Sequence, residues 1–425
     1  MKKILSILLF LVVVCQIRAE DANITTMYKM TQRLFPQQAS FFDFRLLNDT
    51  STDSFTIKSE GNKIIISGNN ANSMAVGLNH YLKNYCLTTI SWYKDDPIEL
   101  PKTLPSISTE VTIKANVPTR FFLNYCTFGY SMTWWKWSDW EHFIDWMALN
   151  GINMPLAITG QEAIWYKVWS KLGLTDEEIR GYFTGPAHLP WHRMCNLDGW
   201  QSPLPKEWLS SQAALQEQIV AREREFNMRP VLPAFAGHVP AALKRVYPNI
   251  KTTRVSEWGG FADQYRCTFL NPMDSLYAII QKEYLTEQTR LYGTNHIYGI
   301  DPFNEIDPPS WDADSLGMMA KHIYESVAAV DPEAVWLQMT WLFYADIKHW
   351  TTPRIKSYLR SVPQDKLILL DYFCEYTEIW KQTDSYFGQP YLWCYLGNFG
   401  GNSFLSGPVK LVSERLADAL KNGGS

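Results

Sequence analysis

The pattern of apolar and polar residues divides the chain into two parts with different rhythms. From about residue 21 to residue 108, alternating runs such as Asn62–Gly68 predict strands, and a helix is predicted from about Ser73 to Tyr85. These elements predict a small α/β domain over residues 20–110. Prolines then punctuate the chain up to Pro118, so residues 111–119 are predicted to form a linker.

After residue 119, short apolar runs are each followed by a polar or aromatic segment and usually by a helical pattern. This alternation predicts an α/β fold with parallel strands joined by helices, a (β/α)8 barrel of the TIM type. The seven strand-like runs are Arg120–Cys126, Ile152–Thr159, Arg229–Phe235, the run from His296 to Glu305, Ala334–Trp341, Lys366–Phe373 and Pro390–Leu396. A last helix is predicted from about Pro408 to Leu420 without an eighth strand after it. We therefore expect residues 120–425 to form an incomplete barrel.

The charge balance excludes two classes of partner. The chain of 425 residues has 39 basic and 43 acidic side chains and a formal net charge of -4. The basic residues are interspersed with acidic ones, so the mature part lacks the basic surface that nucleic acid or an anionic membrane requires. We expect neither as a partner.

Residues 1–19 have the pattern of a secretory signal peptide. Met1-Lys2-Lys3 precedes the apolar run Ile4–Val14, and cleavage is predicted after Ala19. Lipidation of Cys15 is less favoured, because the valines before it are not the small residues that such processing prefers. We expect an exported protein, periplasmic or extracellular, and the short Lys-Lys leader favours a bacterial source. No other apolar run approaches the roughly 18 to 20 residues of a transmembrane helix.

The cysteines and histidines predict no metal site. Six of the seven cysteines follow the predicted signal peptide, widely scattered and without a CxxC pair. Their spacing specifies neither a disulfide framework nor a zinc site, and we interpret most of them as small buried residues. No His, Asp and Glu set has metal-ligand spacing either, so no metal and no cofactor is predicted.

The run from His296 to Glu305 is the strongest candidate for a catalytic site. A carboxylate that follows a barrel strand lies where barrel enzymes keep their chemistry. The chain also contains 18 Trp, 22 Tyr and 21 Phe, and aromatic faces beside acids suggest a sugar pocket. Glu305 is therefore the candidate general acid for glycosidic cleavage, with the preceding Asn304 as an amide for the sugar. The charges of Asp301 and Asp307 are expected to keep Glu305 protonated.

Other polar residues near strand ends keep alternative interpretations. Glu162 is favoured as a carboxylate at a helix N-terminus, and Asp371 and Glu375 as groups that position others. His238 follows a strand and either contacts a sugar hydroxyl or is a hydrogen-bonded turn histidine. These two interpretations of His238 stay equal.

Five separate motifs resemble glycoside hydrolase family 89, the α-N-acetylglucosaminidases, over about residue 21 to the end. They are Gly160–Trp165, Phe183–Ala187, Leu232–Pro240, Asp301–Pro309 and Asn398–Asn402. The resemblance implies a retaining exo-hydrolase that removes terminal α-linked N-acetylglucosamine from glycans or glycosaminoglycans through two glutamates. Glu305 matches the acid/base. The nucleophile is expected on a later strand, beyond Ser425, together with the family's C-terminal helical domain.

The same resemblance implies a set of substrate-binding residues. They are Asn124, Cys126, Trp191, Met194, Trp341, Tyr372 and the region from Trp393 to Phe399, with Phe399 itself, in addition to Asn304 and His238 from the local pattern. Two interpretations of the whole chain remain open. It is either a glycosidase or a truncated, inactive relative that retains at most weak sugar binding. The oligomeric state is not predicted.

Overall fold

The computed structural model describes residues 21–49, 51–93, 98–397 and 407–424. The predicted signal peptide and Phe399 therefore lie outside the described residues. The chain divides into two compact units. The first contains the described residues up to 116 with 145–151 and 225–227, and the second contains 117–144, 152–224 and the described residues from 228 onward.

The first unit is a four-stranded sheet with two helices against it. Its strands are β1 (Phe42–Leu46), β2 (Ser54–Glu60), β3 (Lys63–Gly68) and β4 (Val111–Lys114), in the order β1-β3-β2-β4. Only β1 and β3 run parallel. The helices Ala22–Leu34 and Ala71–Asn84 begin at Asp21 and Asn70, whose side chains accept backbone N–H groups and so cap the helices.

Strand β4 corrects the prediction of a linker at residues 111–119. Val111 pairs with Ile57 and Lys114 with Ser54, so this segment completes the sheet of the first unit. The strand has four residues and one hydrogen-bonded neighbour, and its Ile113 side chain is exposed. Such a short edge strand has no buried face, and therefore gives no strong apolar alternation in the sequence.

Ten strands lie in the described part of the second unit. They are β5 (Phe121–Phe122), β6 (Met154–Pro155), β7 (Leu232–Pro233), β8 (His238–Val239), β9 (Thr252–Arg254), β10 (Thr268–Leu270), β11 (Ile297–Gly299), β12 (Val335–Met339), β13 (Leu367–Asp371) and β14 (Tyr391–Trp393). Each of the seven runs predicted as a barrel strand contains one of them.

The barrel strands run parallel and follow one another in chain order. Strand β5 pairs with β6, and a parallel bridge between Leu156 and Val231 leads towards β7. Strands β7, β11, β12, β13 and β14 then form one continuous parallel sheet. Because all seven point the same way, their carboxyl ends lie at one edge, where the following loops can build a shared site.

Helices and short helical turns connect these strands. Those of at least five residues are Trp137–Leu149, Gln161–Lys171, Asp176–Tyr182, Leu189–Arg193, Lys206–Glu225, Ser275–Tyr292, Ala313–Ala328, Trp341–Ala345, Thr352–Arg360 and Val409–Lys421. Shorter ones are Thr127–Tyr130, Leu243–Val246 and Ile379–Gln382. The core of this unit is rich in large aromatics, and Trp169, Trp336 and Tyr284 are completely or almost completely buried in it.

A small antiparallel sheet is inserted between β7 and β11. Its order is β8-β10-β9, and Phe269 in β10 pairs with His238 in β8. The sequence predicts a helix after Pro240, but only the four residues Leu243–Val246 are helical there. Barrel strands such as β5 and β7 are equally short but lie within longer apolar runs, whereas the strands of this sheet do not, so the pattern did not predict them.

Among the residues that the structure describes, no helix has both the length and the apolar character that crossing a bilayer requires.

Candidate active site

A cavity of about 190 Å³ opens at the carboxyl ends of the barrel strands. The loops after β5, β11, β12, β13 and β14 all contribute to its wall. Its lining residues are Asn124, Tyr125, Cys126, Tyr130, Trp191, Met194, Trp258, Asn304, Glu305, Met339, Trp341, Tyr372 and Leu396. The wall is mostly aromatic and apolar with a few polar groups, as is typical of a site for a small molecule.

The Glu305 carboxylate receives three hydrogen bonds from side chains. Oε2 accepts from Asn196 Nδ2 at 3.0 Å and from Trp258 Nε1 at 2.8 Å. Oε1 accepts from Trp341 Nε1 at 2.9 Å. Both oxygens are thus held in a fixed orientation, although Glu305 itself is exposed.

Burial alters the protonation of Asp301. Burial raises the pKa of Asp301 to about 7, against the opposing effect of hydrogen bonds from the Met339 N–H, at 2.8 Å, and from Tyr125. Near neutral pH this carboxyl group is therefore protonated in part. Asp301 therefore carries less negative charge beside Glu305 than the sequence analysis expects.

A second cavity, of about 350 Å³, adjoins the first. The two share Trp258, Asn304 and Glu305 in their walls. The second is more polar, with Ser256, Asp307 and Asp346 among its lining residues. Glu305 therefore faces two neighbouring spaces, an aromatic one and a polar one.

The polar groups of the first cavity are few and mostly neutral. Asn304 is buried, and among the described residues its Oδ1 has no hydrogen-bond partner. A buried amide oxygen without a partner is costly, which suits an atom that awaits a ligand hydroxyl. Burial, and then the charge of Glu305, raise the pKa of the Cys126 thiol to about 11. Cys126 is therefore an uncharged thiol here, and Glu305 is the carboxylate in the cavity wall.

Two family models match this chain. The model described as the α-N-acetylglucosaminidase (NAGLU) tim-barrel domain matches residues 120–425, and the NAGLU N-terminal domain matches residues 25–106. The chain belongs to the α-N-acetylglucosaminidase family. The predicted family and the predicted α/β fold, with an N-terminal domain before a TIM-type barrel, are thereby confirmed.

Several α-N-acetylglucosaminidase-family relatives are known. Human alpha-N-acetylglucosaminidase is 44% identical over 352 residues, which are 83% of this chain and 47% of the human protein. A family 89 glycoside hydrolase from Clostridium perfringens, solved with 2-acetamido-1,2-dideoxynojirimycin, is 28% identical with a TM-score of 0.85. A Clostridium perfringens variant with two glutamates replaced by glutamine, solved with its substrate GlcNAc-α-1,4-galactose, is 27% identical with a TM-score of 0.86.

These relatives are longer than this chain. Both Clostridium perfringens structures match 95% of this chain but only 45% of their own length. The chain thus spans about half the length of the relatives that it matches.

The structure brings most of the predicted site residues of this α-N-acetylglucosaminidase-family chain into one cavity. The predicted residues in its wall are Asn124, Cys126, Trp191, Met194, Asn304, Glu305, Trp341 and Tyr372. Phe399 lies outside the described residues. His238 is not in the wall, because its Nε2 contacts Asp198 Oδ1 at 2.7 Å and its ring packs against Tyr182 and His192. Of its two interpretations, the structure favours the hydrogen-bonded histidine.

The other candidate acids have structural partners and do not line the first cavity. Glu162 lies in the first turn of the helix Gln161–Lys171, as favoured, and forms a bidentate pair with Arg193 at 2.7 and 2.9 Å. Asp371 accepts the Trp380 N–H at 3.0 Å, and burial raises the pKa of Asp371 to about 6. Glu375 accepts the backbone N–H of Gly397 at 2.8 Å and holds the loop after β14.

Sequence reasoning missed several residues that complete the site. Trp258 lies in the inserted sheet's connection between β9 and β10, and Asn196 lies in a long loop after β6, so neither follows a strand that the pattern could predict. Tyr125 and Met339 lie near the ends of predicted strands, and this position could have identified them as site residues. The missed residues are Tyr125, Tyr130, Asn196, Trp258 and Met339, whereas Leu396 lies in the predicted region from Trp393 to Phe399.

Proposed function

We propose that this protein is a retaining exo-glycosidase that removes terminal α-linked N-acetylglucosamine from glycans or glycosaminoglycans. The observation that carries the proposal is Glu305, oriented by three N–H donors in the wall between two cavities, in a chain of this family. Two further facts support the substrate class. The human relative is named alpha-N-acetylglucosaminidase, and a solved relative holds GlcNAc-α-1,4-galactose as its substrate.

In this proposal the aromatic cavity holds the terminal sugar and the polar cavity receives the rest of the glycan. Glu305, which borders both, donates its proton to the glycosidic oxygen as the bond to the anomeric carbon breaks. It later accepts a proton from the water that completes hydrolysis. Asn304 Oδ1 binds a sugar hydroxyl, and the rings of Trp191 and Trp341 provide apolar faces for the sugar.

The stereochemistry of the substrate calls for a second protein carboxylate. In an α-linked N-acetylglucosaminide the 2-acetamido group lies on the same face as the leaving group, so it cannot attack the anomeric carbon from behind. Retaining enzymes place a nucleophilic carboxylate about 5 to 5.5 Å from the acid/base. Among the described residues Glu305 alone supplies a carboxylate to the first cavity. We infer that the nucleophile belongs to a part of the protein outside these residues.

The same observation favours a second candidate function. A protein with the aromatic pocket and one carboxylate can bind N-acetylglucosamine but cannot carry out a double displacement. Such a protein would be a catalytically inactive sugar-binding relative. The two functions differ in turnover, which the following experiment measures.

Glu305→Gln, in protein expressed from the complete reading frame, tests the role of Glu305. The variant keeps the shape of the pocket but cannot donate a proton, so kcat/KM for an unactivated disaccharide should fall by about 100- to 10,000-fold. An aryl glycoside with a good leaving group should lose much less in the first step.

Glu325→Gln serves as the matched control, because Glu325 is exposed on the helix Ala313–Ala328 and lies outside the walls of both cavities. It should retain activity on both substrates if the protein folds. Small and equal losses on the two substrates for Glu305→Gln would exclude the acid/base role, and no turnover by the natural protein would favour the sugar-binding function.

We further propose that the mature protein acts outside the cytoplasm. The support is the charged, apolar and small-residue pattern of residues 1–19. N-terminal sequencing of protein recovered from the periplasm or medium should begin at Glu20. A mature protein that still starts at Met1 would contradict export through this signal.

A further inference from the structure

Five side chains of metal-binding chemistry converge beside the candidate active site, outside its wall. His238 Nε2 lies 2.7 Å and His192 Nδ1 3.2 Å from Asp198 Oδ1. Cys267 Sγ lies 3.4 Å from the same oxygen. The cluster consists of His192, Cys195, Asp198, His238 and Cys267.

Within the described part of the chain, these residues form two overlapping sets of possible ligands. One set is Cys195, His238 and Cys267, and the other is His192, Asp198 and His238. In each set the donor atoms lie within 4.8 Å of one another. In a tetrahedral zinc site the distances between ligand atoms are about 3.3 to 3.8 Å. Small side-chain rotations thus suffice to close the cluster around an ion.

The chemistry of the cluster points to a soft divalent cation. Two thiols and imidazole nitrogens match the ligands of zinc, whereas calcium and magnesium require mostly oxygen ligands. Cys267 is fully buried, and Cys195 and His192 are nearly so. Burial also excludes the free exchange with water that would mark an open, catalytic metal site.

Cys195 occupies its position at a backbone cost. Its φ is +60°, in the left-handed region where glycine is the least strained residue. A cysteine at this position is less favourable for the turn than glycine. The hydrogen bonds of the neighbouring histidines with Asp198 do not require a cysteine either. The thiol accounts for the residue if it binds a ligand.

The cluster joins two elements that are distant in the sequence. Three of its members lie in the loop segment from His192 to Asp198, while His238 lies in β8 and Cys267 directly precedes β10. Asp198 and His238 are 40 residues apart, and Asp198 and Cys267 are 69 apart. The prediction of no metal site rested on spacing along the chain, which does not register residues that only the fold brings together.

The segment from His192 to Asp198 also reaches the active site. Asn196 donates to Glu305 Oε2 at 3.0 Å, and Met194 lies in the cavity wall. An ion bound by the cluster would cross-link this segment to the inserted sheet. It would thereby hold Asn196 in place against the Glu305 carboxylate.

We propose that Cys195, His238 and Cys267 bind a structural zinc ion, with Asp198 or His192 as the fourth ligand. Binding converts the two thiols to thiolates and releases their two protons to solvent. The role of the ion is to fix the loop that carries Asn196. This site stands independently of the proposed hydrolysis.

The test uses untagged protein from the complete reading frame, grown with added zinc and purified without chelator. Elemental analysis should find about one zinc per chain. Cys195→Gly relieves the backbone strain but removes a ligand, so it should lower the zinc content to less than about a tenth of the natural value. Cys86→Ser, at a buried cysteine of the first unit, is the matched control and should keep the zinc.

Two measurements keep the result clear if a variant folds poorly. In the natural protein, removing zinc with a chelator should lower the midpoint of thermal unfolding, and adding zinc back should restore it. In mild denaturant, alkylation of Cys195 and Cys267 should be slower with zinc bound than after chelation, because zinc–thiolate bonds protect both sulfurs. A zinc-free natural protein, an intact mass that shows a Cys195–Cys267 disulfide, or full zinc content in Cys195→Gly would each overturn the proposal.

Discussion

The Glu305 carboxylate is oriented by donors that come from three separate parts of the chain. Asn196, Trp258 and Trp341 meet at its two oxygens only because the barrel and its insertion are folded. The position of Glu305 after a strand predicted the acid, but nothing local to the sequence encodes these donors. Residues at strand ends could thus be predicted, whereas those in long loops depend on tertiary contacts.

Trp191→Ala and Trp341→Ala test the aromatic wall of the first cavity. Each removes a large ring that lines the cavity, so each should weaken binding of N-acetylglucosamine by about 1 to 3 kcal/mol. Calorimetry or fluorescence titration measures the affinity. Trp134→Ala is the control, because that ring is 67% exposed and outside the cavity wall. Unchanged affinity in folded Trp191 and Trp341 variants would mean that the sugar does not contact these rings.

Asp301→Asn should change how stability depends on pH. Burial raises the pKa of Asp301 to about 7, whereas an aspartate in an unfolded chain has a pKa of about 4. Between these values the folded protein retains a proton that the unfolded chain has lost. The stability that this proton contributes is full below about pH 4 and is lost as the pH rises through about 7. The free energy of unfolding of the natural protein should therefore fall across this window, and the variant should lack that part of the fall.

Urea unfolding at several pH values measures this effect. Asp365→Asn, at an exposed aspartate, is the control and should keep the slope of the natural protein. If Asp301→Asn also kept that slope, Asp301 would be ionised normally in the folded protein.

At the scale of elements, the parallel barrel strands bring their carboxyl ends to one edge, and the loops at that edge supply the residues of the site. The strands are only two to five residues long, and the apolar runs that predicted them continue into residues of the cavity wall, as from β5 into Asn124 and Cys126. Periodicity therefore predicted where each strand lies but overestimated its length. The inserted sheet escaped prediction because its strands, although no shorter than β5 to β7, lie outside any long apolar run.

Arg193→Ala should destabilise the loop that follows β6. Arg193 pairs with Glu162 through two hydrogen bonds, and the two side chains are only 7% and 2% exposed. Removing the arginine leaves a buried carboxylate without its partner, which should lower the free energy of unfolding by about 3 to 5 kcal/mol.

The pair of Arg290 and Glu287 offers the comparison, because Arg290 is 57% exposed. Arg290→Ala should cost less than about 1 kcal/mol, because water solvates the arginine and Glu287 keeps Lys171 as a partner. Replacing Glu162 by Gln in the Arg193→Ala background should restore part of the loss. Equal effects of the two arginine variants would show that the buried pair contributes no more than a surface pair.

At the scale of the molecule, the described residues supply a glycan-sized pair of cavities and one carboxylate at their junction. The family's fold could be predicted from five motifs, and the four within the described residues lie at or after the barrel strands β6, β7 and β11. Position at or after a strand does not identify the second carboxylate. Glu162, after β6, pairs with Arg193, and Asp371 and Glu375, at and after the end of β13, accept backbone N–H groups. In the proposed function, sugar binding and turnover are therefore separable.

This separation gives the last prediction, which compares a chain of residues 20–425 with protein from the complete reading frame. If the nucleophile lies outside the described residues, the shorter chain should bind N-acetylglucosamine weakly when folded but form no glycosyl-enzyme, because a retaining hydrolase needs both carboxylates. Circular dichroism checks folding, titration measures binding, and an aryl α-N-acetylglucosaminide measures turnover. Comparable turnover by the two proteins would show that an acid among residues 20–425, most directly Glu375 or Asp371, acts as the nucleophile. The Glu375→Gln and Asp371→Asn variants of the shorter chain would then identify which one.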